Sequence, residues 1–120
     1  MDSTNLAGRS ILVVEDEALI ALDIADAFER AGAQVTTTAT LRDATKLVEA
    51  EGLSAAILDH GLGRDDSSGL CRRLKERGVP FVIHTGFDRM VPEGPRVSKP
   101  AGPDVLVAAV SGLLQHIPRC

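Results

Sequence analysis

Three acids stand in a row at Glu15, Asp16 and Glu17, directly after the apolar run Ile11–Val14. Adjacent carboxylates about 5 Å apart repel by roughly 3 kcal/mol per pair at an effective dielectric near 20, so something must offset them. Other reactive groups follow other apolar runs. Asp59 follows Ala55–Leu58; His84, Thr85 and Gly86 follow Val79–Ile83; Lys99 and Pro100 follow Arg96–Ser98. Brought together with Glu15 and Asp16, these would supply three carboxylates, a hydroxyl and an ammonium. Carboxylate oxygens suit a hard divalent cation such as Mg²⁺, which keeps several waters and is held by few acids. A carboxylate beside such a cation can act as a nucleophile toward phosphorus, with an ammonium to meet the charge on the transferring group. Each group alone has an ordinary reading: helix capping for the acid pair, a turn for the aspartate, solvation for the lysine. One reactive group per run, in order, outweighs those separate readings.

The elements that must position these groups alternate along the chain. Ile11–Val14 and Ala55–Leu58 read as fully buried strands, Gln34–Thr38 as a threonine-rich one, Val79–Ile83 as a strand opening through Pro80, and Arg96–Ser98 as a short edge strand. Between them lie helical patterns. Ala18–Ala31 carries Ile20, Ile24, Ala27, Phe28 and Ala31 on one stripe, with Gly32 as its stop. Thr40 and Asp43 resemble a capping box for a helix with Leu41, Ala44, Leu47 and Val48 on its apolar face. Ser67–Arg77 turns Leu70 and Leu74 inward, and Pro103–His116 carries Leu106, Ala109, Val110, Leu113 and Ile117. This alternation predicts an α/β fold, a doubly wound parallel sheet of flavodoxin-like (βα)5 type with strand order 2-1-3-4-5. Right-handed crossovers bring all strand ends to one edge. The stretch "GFDRMVPEGPRVS" is too short and too rich in Pro and Gly for a full helix, so the fourth helix is expected to be shortened to at most one turn near Asp88–Val91.

Size and composition set further bounds. The 120 residues fit one domain with a real core. Residues 1–8 read as a flexible tail, 9–117 as the domain and 118–120 as a second tail. The net charge of −4, the lack of Trp and Tyr and the absence of a basic cluster argue against nucleic-acid binding. No apolar run is long enough to cross a membrane, and no signal peptide is evident, which suggests a cytoplasmic protein. Cys71 and Cys120 form neither a disulfide framework nor a metal spacing, and Cys71 reads as a small core residue.

With "VVEDE", "AAILDHGLG", "FVIHTG" and "VSKP" in place, the chain resembles the receiver domain of two-component response regulators from about Arg9 to Ile117. The resemblance implies that Asp59 is the phosphoacceptor. It implies Mg²⁺ held by Asp16, Asp59 and the Gly61 carbonyl, with Glu15 acting mainly through water, and Thr85, Gly86 and Lys99 around the phosphoryl group. It also implies a cis Lys99–Pro100 bond, which would aim the Lys99 side chain into the site. The implied function is phosphoryl acceptance from a histidine kinase or phosphotransfer protein, as relay, sink or switch, without being an enzyme on other substrates. "PFVIHTGF" further resembles the stand-alone FAT GUY subgroup, whose members are often paired with histidine kinases of the HWE type.

Four departures from the family pattern stand out. Leu62-Gly63 replaces a Met-Pro pair, and "GRDDSSG" is about two residues longer than usual, with Asp65 and Asp66 as caps or as added negative field. Arg96, Val97 and Ser98 stand where an aromatic switch residue is expected, and the helix before them is degenerate. The readout of phosphorylation would then run through ordering of the 86–96 loop. That loss also favours a monomer, since the usual dimer face includes this helix. Competing readings are a receiver-like interaction module independent of phosphorylation, and an aspartate-nucleophile phosphatase. Intact Asp16, Asp59, Thr85 and Lys99 oppose the first; Gly61, where a second acid is needed, opposes the second. His60 and His84 are expected to be strand-end residues rather than ligands of a transition metal.

Overall fold

The computed structural model describes residues 6–50, 52–59, 68–85, 96–98 and 103–115. Strands and helices alternate as β1 (Ser10–Val14), α1 (Ala18–Arg30), β2 (Gln34–Thr38), α2 (Leu41–Glu49), β3 (Ala55–Asp59), α3 (Ser68–Glu76), β4 (Phe81–Thr85), β5 (Arg96–Ser98) and α4 (Pro103–Gln115). The strands form one sheet in the order β2-β1-β3-β4-β5, every pair parallel. This is the flavodoxin-like order expected from the alternation. The stretch 86–95, on which the shortened fourth helix was expected, lies outside the described residues.

The pleat explains why β1 and β3 are unbroken apolar runs. Leu12, Val14, Ala56, Leu58 and Ile83 point to one face and meet Ala44 and Val48 of α2 and Leu70, Cys71 and Leu74 of α3. Ile11, Val13, Ala55, Ile57 and Val82 point to the other and meet Ile24 and Phe28 of α1 and Leu106 and Val110 of α4. Strands buried on both faces have no polar side to alternate with. β2 lies at the edge, and its residues are exposed or half-buried, which is why threonine is tolerated there. Cys71 is buried inside the first cluster, as a small core residue should be.

Local chemistry fixes the element ends. Thr40 Oγ1 accepts the N–H of Asp43 at 3.1 Å, so it caps α2 as the sequence predicts. Thr40→Ala is expected to cost about 1 kcal/mol and Thr40→Gly only a few tenths, read as shifts of the urea midpoint followed by circular dichroism. Gly32 ends α1 with φ +99°, and a Cβ there would stand 3.1 Å from the backbone of Ala7. Both the turn and this close approach require glycine. α2 and α3 are tied by Arg73, whose guanidinium donates through Nε and Nη2 to Glu49 and through Nη1 to Glu76. The hydrogen bond from Arg73 holds the Glu49 carboxyl below its usual range. The pair is solvent-facing, so its contribution to stability is small.

Two boundaries differ from the sequence expectation. β4 begins at Phe81 rather than Val79, because the Val79 N–H is still used by the end of α3, bonded to Leu74 O at 2.9 Å, and Pro80 has no N–H to give. The packed chain also begins within the stretch read as a tail. Leu6 is buried among Ile24, Phe28 and Ala31, and its N–H bonds Ala31 O at 2.8 Å. A single leucine carries no periodicity, so nothing in the pattern marks it as core.

Candidate functional site

The register builds the site from the backbone outward. Val14 of β1 pairs with Leu58 of β3, so the next step along each strand sets Glu15 beside Asp59. Asp59 is the last residue of β3 and pairs with His84 of β4. Thr85 closes β4 and pairs with Ser98 of β5, the residue before Lys99 in the sequence. Neighbouring strands lie about 4.8 Å apart, so the ends of β1, β3, β4 and β5 span roughly 15 Å at the carboxyl edge of the sheet. This is the edge at which ligands bind in open α/β sheets. Thr85 and His84 were expected just beyond the fourth strand and instead form its last two residues, because His84 pairs with Asp59 and Val97 and Thr85 pairs with Ser98.

The three acids that follow β1 are not equivalent. Glu15 is 3% exposed, whereas Asp16 and Glu17 face solvent. The Glu15 N–H still bonds Thr38 O at 2.9 Å, which continues the β1–β2 pairing one residue past the strand. Its Oε2 accepts the N–H of Glu17 at 3.1 Å. Glu17 is the N-cap of α1 and makes no side-chain cap bond of its own. Glu15 therefore supplies the capping acceptor from two residues upstream, and the turn that results leaves Asp16 outward at the sheet edge. Water screens the two exposed carboxylates, and the Glu17 N–H compensates one oxygen of the buried one. That answers how the run of acids is tolerated.

Among the described residues no three His, Cys, Asp or Glu side chains form a metal-sized cluster. The donor chemistry of the first strand end nonetheless fits Mg²⁺. It offers oxygens only, one from a buried and one from a solvent-facing carboxylate, and Mg²⁺ is bound by one or two carboxylates and keeps its remaining waters. Gly61, Gly86, Lys99 and the Lys99–Pro100 bond all lie outside the described residues, as does His60. Capping was the ordinary reading of the acid pair, but sequence reasoning did not anticipate that Glu15 alone would turn inward and bond the Glu17 N–H while Asp16 faces solvent. The signal for it was the absence of Ser, Thr, Asp or Asn at Glu17, which left the first turn of α1 without a side-chain acceptor of the usual kind.

A doubly wound parallel sheet with acids and a threonine gathered at its carboxyl edge defines a class of α/β domain with its site at the strand ends. The chain belongs to the response regulator receiver domain family, whose model matches residues 11–111. Its fold is shared by solved structures at low identity. A response regulator receiver protein from Sinorhizobium medicae aligns at 24% identity with a TM-score of 0.82, covering 91% of this chain and 96% of that one. The signal receiver domain of a histidine kinase from Syntrophus aciditrophicus aligns at 25% identity with a TM-score of 0.79, covering 93% and 94%. A response regulator from Burkholderia pseudomallei, solved with a phosphorylated aspartic acid and a calcium ion, aligns at 22% identity with a TM-score of 0.75, covering 89% and 71%. No curated protein matches the chain. The family is that of two-component systems, and membership in it is consistent with phosphorylation-accepting signalling. No helix among the described residues is long and apolar enough to cross a membrane.

Proposed function

We propose that the domain takes a phosphoryl group onto Asp59 from a phosphohistidine of a histidine kinase or phosphotransfer protein, in a Mg²⁺-dependent step. The observation that carries this reading is the register: it sets Glu15 beside Asp59, with Asp16 next in sequence, and ends the adjacent strand at Thr85. An oxygen of Asp59 forms a bond to phosphorus as the bond from phosphorus to the donor imidazole nitrogen breaks. The electron pair leaves on that nitrogen. Thr85 donates its hydroxyl hydrogen to a phosphoryl oxygen, and Lys99 meets the negative charge that gathers there. Asp16, Asp59 and the Gly61 carbonyl would hold Mg²⁺, with Glu15 acting through water; when bound, the ion supplies charge neutralisation at the phosphoryl oxygens. Hydrolysis of the acyl phosphate by water returns Asp59 to its free form and releases inorganic phosphate. The protein acts on no other substrate and serves as relay, sink or protein-binding switch in the cytoplasm. The resemblance of "PFVIHTGF" to the FAT GUY subgroup supports a kinase of the HWE type as its donor.

The test is direct. Incubated with Mg²⁺ and a small phosphodonor, the protein should gain the mass of one phosphoryl group, and Asp59→Ala should gain none. An unchanged mass in the parent protein would favour an interaction module that works without phosphorylation. Sustained phosphate release over many turnovers would favour a phosphatase.

A further inference from the structure

The outer strand of the sheet lies next to this chemistry and takes no part in it. β2 is the outermost strand, and among the described residues it pairs only with β1. Gln34 donates its N–H to Arg9 O, and Thr38 O accepts from Glu15 N–H, so both face β1. Backbone groups alternate in direction along a strand. Thr36 therefore faces β1 as well, while Val35 and Thr37 turn their N–H and C=O groups to the open edge. Exposed strand edges are commonly blunted by charges, proline or bulges. The sequence QVTTT carries neither charge nor proline.

Beside this edge runs a groove of about 400 Å³ between α1 and β2. Its lining is largely apolar: Ala18, Ala21, Leu22 and Ala25 from one stripe of α1, with Val35 from β2. Leu22 is 64% exposed at its rim. Every charged residue described along it is an acid; Asp16 and Glu29 present their carboxylates to solvent, whereas Glu15 is buried and bonded to the Glu17 N–H.

We propose that the β2 edge and the α1–β2 groove together form a docking site for an extended, basic peptide segment of a partner protein. The segment adds to the sheet as a sixth strand beside β2. Its backbone bonds the outward groups of Val35 and Thr37, alternate apolar side chains enter the groove, and lysine or arginine meets the carboxylates. This is strand addition, in which main-chain bonds give affinity and pockets for alternate side chains give specificity. A second copy of the chain is the poorer occupant. It would bring an uncharged strand and a net charge of −4 against a groove of carboxylates. The inference does not depend on phosphorylation of Asp59.

The test uses the whole protein and a fluorescein-labelled octapeptide alternating valine with lysine, read by fluorescence anisotropy at low salt. Saturable binding is expected, with slowed amide exchange at Val35 and Thr37 and none of that slowing at Thr36. Thr37→Pro removes one outward N–H while leaving the β1 pairing intact, since proline is accepted on the solvent side of an edge strand. Ala25→Arg fills the groove and sets a positive charge against the incoming lysines. Each should weaken binding about fivefold or more. If Thr37→Pro proves unfolded by circular dichroism, Ala25→Arg carries the test. The proposal is overturned by no saturation up to about 1 mM peptide. It is equally overturned if a peptide alternating valine with glutamate, or one with its valines and lysines in separate blocks, binds as well. Sedimentation showing a dimer of the parent that Thr37→Pro dissociates would assign the edge to a second copy instead.

Discussion

Asp16→Asn should slow phosphoryl uptake from a small donor about a hundredfold or more while leaving the fold as stable as before, or slightly more so. The two effects have different origins. In the resting protein Asp16 is a solvent-facing carboxylate between two other acids, and it makes no bond that positions β1 or α1; that duty belongs to Glu15, which caps the first turn. Removing its charge relieves repulsion that water already screens to about 1 kcal/mol or less. On the proposed reading the same charge holds the divalent cation beside Asp59 during transfer, and losing one preorganised electrostatic contact at a reacting phosphoryl group is a loss of that size. Initial rates by intact mass across a Mg²⁺ titration, set against the urea midpoint of the same variant, separate the two. A normal rate at limiting Mg²⁺ would remove Asp16 from the cation site. A loss of several kcal/mol in stability would make it a structural residue.

That contrast between Glu15 and Asp16 also shows where sequence reading stops. The sheet order, the paired faces of the strands and the helix stripes follow from periodicity, because burial on both faces of β1 and β3 forces unbroken apolar runs and burial on one stripe of α2 forces Leu41, Ala44, Leu47 and Val48. The convergence of Glu15, Asp59 and Thr85 follows from the same pattern, since parallel strands end on one side. What periodicity does not encode is which of three adjacent carboxylates turns inward, because that depends on an unfilled backbone donor at Glu17 in three dimensions. Nor does it mark Leu6, whose burial depends on the turn at Gly32 meeting Ala7. The shifted start of β4 is intermediate: Gly78, with φ +71°, and the Val79 bond back to Leu74 together extend the end of α3 into residues that read as strand by composition. Leu22 is the reverse case, an apolar residue that the α1 stripe does not need and that the fold leaves at the surface.

Phe28→Ala should cost about 3–5 kcal/mol of folding stability, the largest single loss expected from the core. The ring is fully buried, the largest side chain to be so among the described residues, and lies in the cluster that joins α1 and α4 to the sheet through Ile11, Val13, Ile57 and Leu106. It also sits where the N-terminal segment is fastened, with Leu6 and Ala31 in the same cluster and its own carbonyl accepting the N–H groups of Ala31 and Ala33. Truncation to alanine removes the ring's transfer free energy and leaves a cavity among helix, strand and N-terminal turn that no single element can close. Against the 5–15 kcal/mol typical of a whole domain, that is a large share. With no Trp or Tyr in the chain, urea unfolding is best followed by circular dichroism. The midpoint should fall while the slope holds, and Phe28→Leu, which restores most of the volume, should recover the greater part of the loss. A loss below about 1 kcal/mol for the alanine variant would mean that the cluster repacks freely. In that case the junction of α1, α4 and the N-terminal turn would not be the rigid support on which the carboxyl edge of β1 depends.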